Sequence, residues 1–404
     1  MENRRTLEGI KVVELSTFVA APVCARMLAD MGAQVIKIEG LKGDPWRATA
    51  KACTYTSDEE LPVFDIYNAG KQSIKLNIKH PDGMKVLLDL LADADVFITN
   101  TRLASLKKLG LDYESLREKF PRLIYGTITG YGDKGPDAAS PGFDNVAFWT
   151  RSGFLMDMSI QSDGSYPVYS PTGAGDTFTG TVLFSGILAA LYQREHTGKG
   201  DYVTAALQNA GIWFMGSMII QAQDKYHIKF PKDRSDCSPF ASSYKCADGE
   251  WIGITILDHD RYRAPVFEIL GVTEEMAPLN ITTQEEMKYK SSQVIPILER
   301  AFLKKTAAQW LELLRAADVV CGILNHMSDV TKDPSAIANE FVQEYTCHNG
   351  EKCMMPCPPA RLASQPLPKS ATAPLAGEDT VEVLERMGYS AQDIDRLIVD
   401  GAVQ

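Results

Sequence analysis

The opening of the chain constrains the fold more than any later stretch. Ile10–Leu15 is a β-rich run, Pro22 opens a helix with Val23, Met27 and Leu28 at helical spacing, and Gly32 ends it. Ala33–Glu39 is the next strand. Strand, helix and strand in this order make a βαβ unit, which requires a parallel pair and a right-handed crossover. The alternation continues with strands at Ser73–Ile78, Val96–Thr99 and Leu123–Ile128, and helices at Pro81–Ala92 and around Tyr113–Phe120. Such a pattern builds an α/β sheet. Ligands in these sheets bind beyond the carboxyl ends of the strands. The candidate loops are therefore Thr17–Pro22, Glu39–Arg47, Asn100–Arg102 and Gly130–Gly135.

Glu39 stands where a dinucleotide fold places its ribose-binding acid. The glycine fingerprint that must accompany it is missing, because Thr17–Pro22 occupies its place. The pyrophosphate of a nicotinamide cofactor needs those glycines, so that reading is rejected. Further along, a long helix is expected over Asp176–His196, a strand over Tyr202–Leu207, and an apolar helix through Trp213, Phe214 and Met218. Asp224–Pro239 is polar and proline-interrupted, as a linker would be. A hairpin about Asp248-Gly249, helices at Arg261–Leu270 and Val294–Phe302, a proline-rich return over Pro356–Pro374 and a last helix from Thr380 complete the pattern. The expected architecture is a Rossmann-like large α/β domain over 1–223, completed by about 331–404, and a smaller α+β domain over 224–330.

A formal net charge of −11 opposes general nucleic-acid binding, which needs a basic field. No apolar run looks long enough to span a bilayer. The polar start Met1–Gly9 has no signal core, so a cytoplasmic location is expected. The eight cysteines are scattered, which suits reduced thiols. Cys347, His348, Cys353 and Cys357 cluster, but their spacing lacks the tight pair of a zinc site. They are expected to be isolated thiols in a loop, and no metal is expected.

Asp176 is the most pointed chemical feature. Ser170–Gly180 runs from a loop into an apolar helix, with glycines at 173, 175 and 180. Glycines let the backbone approach a ligand closely. A carboxylate at a helix mouth feels its positive end and free N–H groups, which would keep it ionised as a nucleophile or base. Asp is also a preferred helix cap, and the segment by itself leaves both readings open.

Longer stretches then resemble a known family. Leu7–Leu15, Ala21-Pro22 and Leu28–Glu39 are similar to the opening of class III CoA-transferases of the CaiB/BaiF, formyl-CoA transferase-like type. The similarity continues through Gly43–Arg47, Asn68–Ser73, Thr127–Gly132, Pro141–Asp144, Gly175-Asp176, Thr197–Gly200 and Gly377–Leu384. The resemblance implies an interlocked homodimer and CoA esters as substrates, with no tightly bound cofactor. It implies Asp176 as the nucleophile, passing through an aspartyl anhydride and an aspartyl-CoA thioester. It places Phe18, Val19, Ala20, Arg47, Lys71, Asn100, Arg102 and Lys108 in CoA-binding segments. Backbone N–H groups around Gly175 or Ala20 are candidates for the oxyanion.

Two departures matter. Val19 stands where some relatives carry a catalytic glutamine, and no tetraglycine run occurs around Phe240–Tyr244 as it does in the formyl/oxalate branch. Gly142-Phe143-Asp144 also replaces the Gly-His-Asp motif of the related acyl-CoA racemases, and phenylalanine cannot carry a proton. The six histidines are expected on surface positions elsewhere. The segments Phe18–Pro22, Pro141–Asp144 and Ala147–Gly153 look most like the branch acting on 2-hydroxy acids and arylacrylates in amino-acid-fermenting anaerobes. Phe148, Trp149 and Met156–Met158 could line an apolar acyl pocket or simply form core, and Arg151 could bind a substrate carboxylate. The alternatives are an acyl-CoA racemase or a non-catalytic CoA-binding protein.

Overall fold

The computed structural model describes residues 5–158, 168–368 and 370–404. It divides into two compact units. The first comprises Met1–Ser152, Ser170–Gly216 and Asp333–Gln404; the second comprises Gly153–Tyr169 and Ser217–Lys332.

In the first unit, six strands form one parallel sheet: β1 (Lys11–Leu15), β2 (Gln34–Glu39), β3 (Gln72–Lys75), β4 (Val96–Thr99), β5 (Ile124–Thr129) and β6 (Tyr202–Ala206). Their spatial order is β3-β2-β1-β4-β5-β6, and every neighbouring pair is parallel. The chain therefore grows outward from β1 in one direction, then returns and grows in the other. The switch point lies between β1 and β4, where Leu15 pairs with Thr99. A crevice opens beyond the carboxyl ends of strands at such a point. All of β4 is buried, as a strand covered on both faces must be.

The helices that matter for the site are α1 (Ala20–Asp30), α2 (Pro45–Thr54), α3 (Pro62–Asn68), α4 (Pro81–Ala92), α5 (Ala174–Thr197) and α6 (Leu207–Phe214). Helix α4 covers one sheet face with Leu87 and Leu91, joined by Val383, Leu384, Ile394 and Leu397 from two C-terminal helices. Helix α5 packs on the other face, where Gly126 of β5 leaves room for Ile187: a Cβ there would stand 3.0 Å from Ile187 Cδ1. Helices α1 and α5 also pack closely. A Cβ on Gly180 would lie 2.4 Å from the Ala20 carbonyl oxygen, so only glycine fits.

A buried ionic cluster anchors the β1–α1 connection. Lys37 Nζ lies 3.0 Å from Glu14 and 2.9 Å from Asp44, and donates to the Ser16 carbonyl at 3.1 Å. Lys71 Nζ lies 2.8 Å from Glu14, and donates to the Pro22 carbonyl at 3.0 Å and to Asn68 at 2.9 Å. Burial alone would raise the Glu14 carboxyl, but Lys37 and Lys71 overcome it and hold it at about 2. Burial pulls the Lys71 ammonium down to about 8 despite Glu14.

The second unit carries a three-stranded antiparallel sheet, β7 (Ala241–Lys245), β8 (Trp251–Thr255) and β9 (Cys321–Ile323), in the order β7-β8-β9. Its core includes Tyr244, Phe302 and Trp310. The β7–β8 hairpin turns about Asp248-Gly249 as its turn residues predict; β9 is three residues long and shows no legible alternation.

Three sequence expectations need correction. The supposed C-terminal thiol loop contains an antiparallel hairpin, β10 (Val342–Thr346) and β11 (Lys352–Pro356), which places Cys353 opposite Tyr345. Helix α5, 24 residues long, is apolar and long enough to cross a membrane by length and composition, and half of its most apolar window is buried. His259 is buried in the second unit, not on the surface.

Replacing Lys37 by Met would leave Asp44 buried without its counter-charge and Glu14 with Lys71 alone, and should cost about 3–5 kcal/mol. Urea denaturation checks this. Because the folded Glu14 carboxyl sits below its ordinary 4.5, its contribution to stability is present above that value and is lost as pH falls towards 2.

Candidate active site

Helix α5 starts at a left-handed Gly173 (φ 80°), so Asp176 lies at its third position rather than at the cap. The capping carboxylate is Asp144, distant in sequence. It accepts from the Gly173 N–H at 2.8 Å and the Asp176 N–H at 3.0 Å. It also accepts from Gly175 N–H, and from Trp149 Nε1–H at 3.2 Å. The Ala174 N–H goes to the Pro171 carbonyl at 3.1 Å. The first-turn donors of α5 are thus all taken.

This overturns the expectation that free amides keep Asp176 ionised. The positive end of α5 is already answered by Asp144, and Asp176 is half-buried beside that second carboxylate. Burial, with the Asp144 charge adding to it, pushes the Asp176 carboxyl up to about 7. Capping by Asp144 removes the Gly175 N–H as an oxyanion donor as well. Gly175 instead makes room for the cap. A Cβ on it would stand 2.3 Å from Asp144 Oδ1 and 2.5 Å from Phe148 Cγ, so its absence lets the two segments close.

Asp144 is carried by a π-helical turn, Asp144–Trp149. Phe148 and Trp149 on that turn are buried and pack with Phe214; Phe148 also meets Phe178 at 6.1 Å. They support the start of α5 as core, and do not line an open acyl pocket. Met156–Met158 belong to the second unit. Arg151 is paired with Asp137 at 3.1 Å.

The β1–α1 loop forms the other wall. Asn100, just past β4, accepts from the Thr17 N–H at 3.1 Å and donates to the Thr17 carbonyl at 2.7 Å, clasping the two loops at the switch point. Phe18 has φ 64°, a left-handed backbone that a bulky residue adopts only under constraint. The constraint is Asp44, which accepts from the Phe18 N–H at 3.2 Å while capping α2 through Trp46 N–H at 2.9 Å. Val19 is buried and precedes α1, whose opening amides, Ala20 and Ala21, lack intrahelical partners. Helix α5 passes this wall on either side of Asp176. At Gly173 a Cβ would be 3.9 Å from Val19 Cγ1 and 3.3 Å from Tyr67 Oη, and at Gly180 the backbone meets Ala20. Tyr67 of α3 shares a hydrogen bond with Thr177, and burial raises its phenol, with Asp176 and Asp144 adding to the rise.

The model of CoA-transferase family III matches residues 7–380. The chain belongs to that family. The (R)-2-hydroxy-4-methylpentanoate CoA-transferase of Clostridioides difficile is 36% identical over 391 residues, covering 96% of this chain and 97% of that protein. The cinnamoyl-CoA:phenyllactate CoA-transferase of Clostridium sporogenes is 37% identical over 405 residues, covering 99% and 98%. The crystal structure of a CaiB/BaiF family protein from Brucella suis superposes with a TM-score of 0.79 at 26% identity, covering 95% of this chain and 100% of that one.

This family III CoA-transferase therefore handles CoA thioesters and carboxylic acids, and its own basic residues can be judged as phosphate ligands. Arg102 precedes the helix Leu103–Leu109 at the end of β4 and is exposed, as is Lys108. Both are open to an anion. Arg47 and Lys71 are not placed so. Arg47 turns inward, pairing with Glu39 at 2.6 Å, donating to the Pro374 carbonyl at 2.9 Å and lying over the Phe64 ring. Lys71 is fully buried in the ionic cluster, where its ammonium already meets Glu14, Asn68 and Pro22. Glu39 is held by Arg47 and Ser73 and is no ribose acid. Phe143 is exposed and has no ionisable group. Asp144, Tyr67 and Asp44 are the site residues that sequence reading missed. The Gly142-Phe143-Asp144 motif was visible, but not that its carboxylate caps a helix 29 residues on.

Asp144→Asn keeps one acceptor oxygen but turns an NH2 towards donors, and should cost about 2–3 kcal/mol in chemical denaturation. The same change removes a negative neighbour from Asp176. Activity of the wild type should rise with pH through about 7 as the Asp176 carboxylate forms, and a pH–rate profile of the variant should show that limb at lower pH. Since the folded Asp176 pKa is raised, the stability it contributes is present below its ordinary 3.8 and is lost as pH rises through about 7.

Proposed function

We propose that this enzyme moves CoA from an acyl-CoA donor to a carboxylic acid acceptor through covalent intermediates on Asp176. The acids are 2-hydroxy acids or aryl- or alkylacrylate-type acids. The observation that carries the reading is a half-buried carboxylate on the first turn of α5, beside Asp144 and Tyr67 and raised to about 7. The 2-hydroxyacyl and phenyllactate activities of the two relatives support the substrate class.

In the proposed cycle the Asp176 carboxylate attacks the donor thioester carbonyl. The tetrahedral oxyanion collapses, the C–S bond breaks, and a mixed anhydride and CoA thiolate remain. The thiolate attacks the aspartyl carbonyl and releases the first acid, leaving an aspartyl-CoA thioester. The acceptor carboxylate attacks that thioester, giving a new anhydride and thiolate. Attack by the thiolate on the acceptor carbonyl yields the product thioester and restores Asp176. Activation is conserved throughout, so no ATP is consumed.

Each oxyanion needs donors fixed in advance. Val19 cannot supply one from its side chain. With the α5 amides taken by Asp144 and Pro171, the Ala20 and Ala21 N–H groups at the start of α1 are the candidate donors. Asp144 acts on the reaction through Asp176, by fixing its backbone and adding to the rise that burial gives its carboxyl. A racemase would need a base where Phe143 stands, and Asp144 is occupied by four donors.

Intact-protein mass after incubation with a panel of acyl-CoAs, followed by hydroxylamine or borohydride trapping, tests the reading. A CoA-sized or trapped adduct on Asp176, absent from Asp176→Ala, is expected. No adduct with any donor, together with unchanged CoA binding by the variant, would overturn the nucleophile assignment.

A further inference from the structure

Phe143 is the large apolar side chain beside the site that packing does not explain. It is 55% exposed although it directly precedes the buried Asp144. Its ring packs edge to face with Phe18, with centroids 5.1 Å apart and planes at 80°. Phe18 in turn lies 6.4 Å from Trp46, and Trp46 lies 6.5 Å from Tyr67. An aromatic row therefore runs from the hydroxyl beside Thr177 out to an open apolar end. Both outer rings are held from behind. Asp44 fixes Phe18 in its left-handed backbone, and Gly142 approaches Gly130 so closely that a Cβ on it would lie 2.7 Å from Gly130 Cα. The two rings are displayed rather than left over.

The charges nearby point the same way. The Asp176 carboxyl feels burial and Asp144, and no lysine or arginine among the described residues offsets them. Arg47 is turned inward onto Glu39, Lys71 lies in the buried ionic cluster, and Arg151 is paired with Asp137. A substrate with a second carboxylate would meet no free counter-charge beside the nucleophile, and two carboxylates already stand there. An apolar substituent loses nothing in such a place and gains ring contact.

The geometry points to Phe143, with Phe18, as the specificity-determining wall that receives the aryl or branched-alkyl substituent of the acyl group and disfavours dicarboxylates. This rests on the proposed reading of Asp176 as the acyl-carrying nucleophile. The side chain that a racemase would replace with a base serves here as a surface for the acyl tail. More than half of Phe143 stays exposed beside Phe18, and aromatic rings favour offset or edge contacts with a third ring.

The test uses the full-length enzyme, Phe143→Ala and Phe143→Leu, with one CoA donor that labels Asp176 in wild type. Acceptors are a phenyl-substituted 2-hydroxy acid, a branched-alkyl 2-hydroxy acid, acetate and succinate. Removing the ring should lower kcat/KM for the phenyl acid relative to acetate by about 10- to 100-fold, with Leu recovering the branched acid better than the phenyl acid. Because Phe143 is half in solvent, both variants should fold, and Asp176 labelling in each verifies it. An equal loss for all four acceptors, or a changed KM for the donor alone, would show that the ring meets CoA or the helix start, and would overturn the assignment. Labelled variants with the wild-type preference would overturn it while leaving the transferase reading intact. Absence of label in wild type would overturn the transferase reading, and this inference with it.

Discussion

The buried pairing of Lys37 and Lys71 with Glu14 and Asp44 is the interaction on which the rest of the site stands. Four charged groups share one interior, and each is answered by another. Through them the cluster grips the end of β1, the first turn of α1, the cap of α2 and the end of α3. A buried ion set of this kind is weak evidence for stability in itself, since desolvation offsets most of the attraction. Its value here is positional. It fixes where Ser16 to Pro22 runs, and that loop carries the strained Phe18 and the opening amides of α1.

Asp144 does for α5 what the lysine cluster does for α1. One carboxylate gathers three backbone amides and an indole, and so sets the direction in which Asp176 leaves the helix. Burial does most to raise the basicity of Asp176, and the same carboxylate adds to it, because the charge that satisfies the helix also repels its neighbour. Structure and reactivity are adjusted by a single group. Gly175 and Gly180 permit this by bringing α5 against Asp144 and against Ala20, approaches that any side chain would prevent.

The sheet was legible because its strands and helices alternate with clear periods, and the reading of a Rossmann-like large unit stands. The place of Asp176 at the start of a helix was legible because flanking glycines and a following apolar helix are local signals. The cap was not, since a contact between residues 144 and 173 is a tertiary fact with no local signature. Arg47 and Lys71 misled for a related reason. Charge and position near strand ends suggest a phosphate, but sequence does not say whether a long side chain turns outward or into a cluster whose acids lie on other strands. Short elements such as β9 and the β10–β11 hairpin were lost because three to five residues give periodicity little to work with.

The raised basicity of Asp176 also bears on which bond breaks. A mixed anhydride offers the returning thiolate two carbonyls. Attack at the substrate carbonyl must expel the Asp176 carboxylate; attack at the aspartyl carbonyl expels the substrate acid. A carboxylate with a pKa of about 7 is the poorer leaving group beside an ordinary one near 4. In the proposed cycle burial and the helix cap thus tilt both anhydrides towards the aspartyl-CoA thioester: the first loses its acid more readily than it returns to the starting thioester, and the second needs the acceptor to be present in excess to go forward.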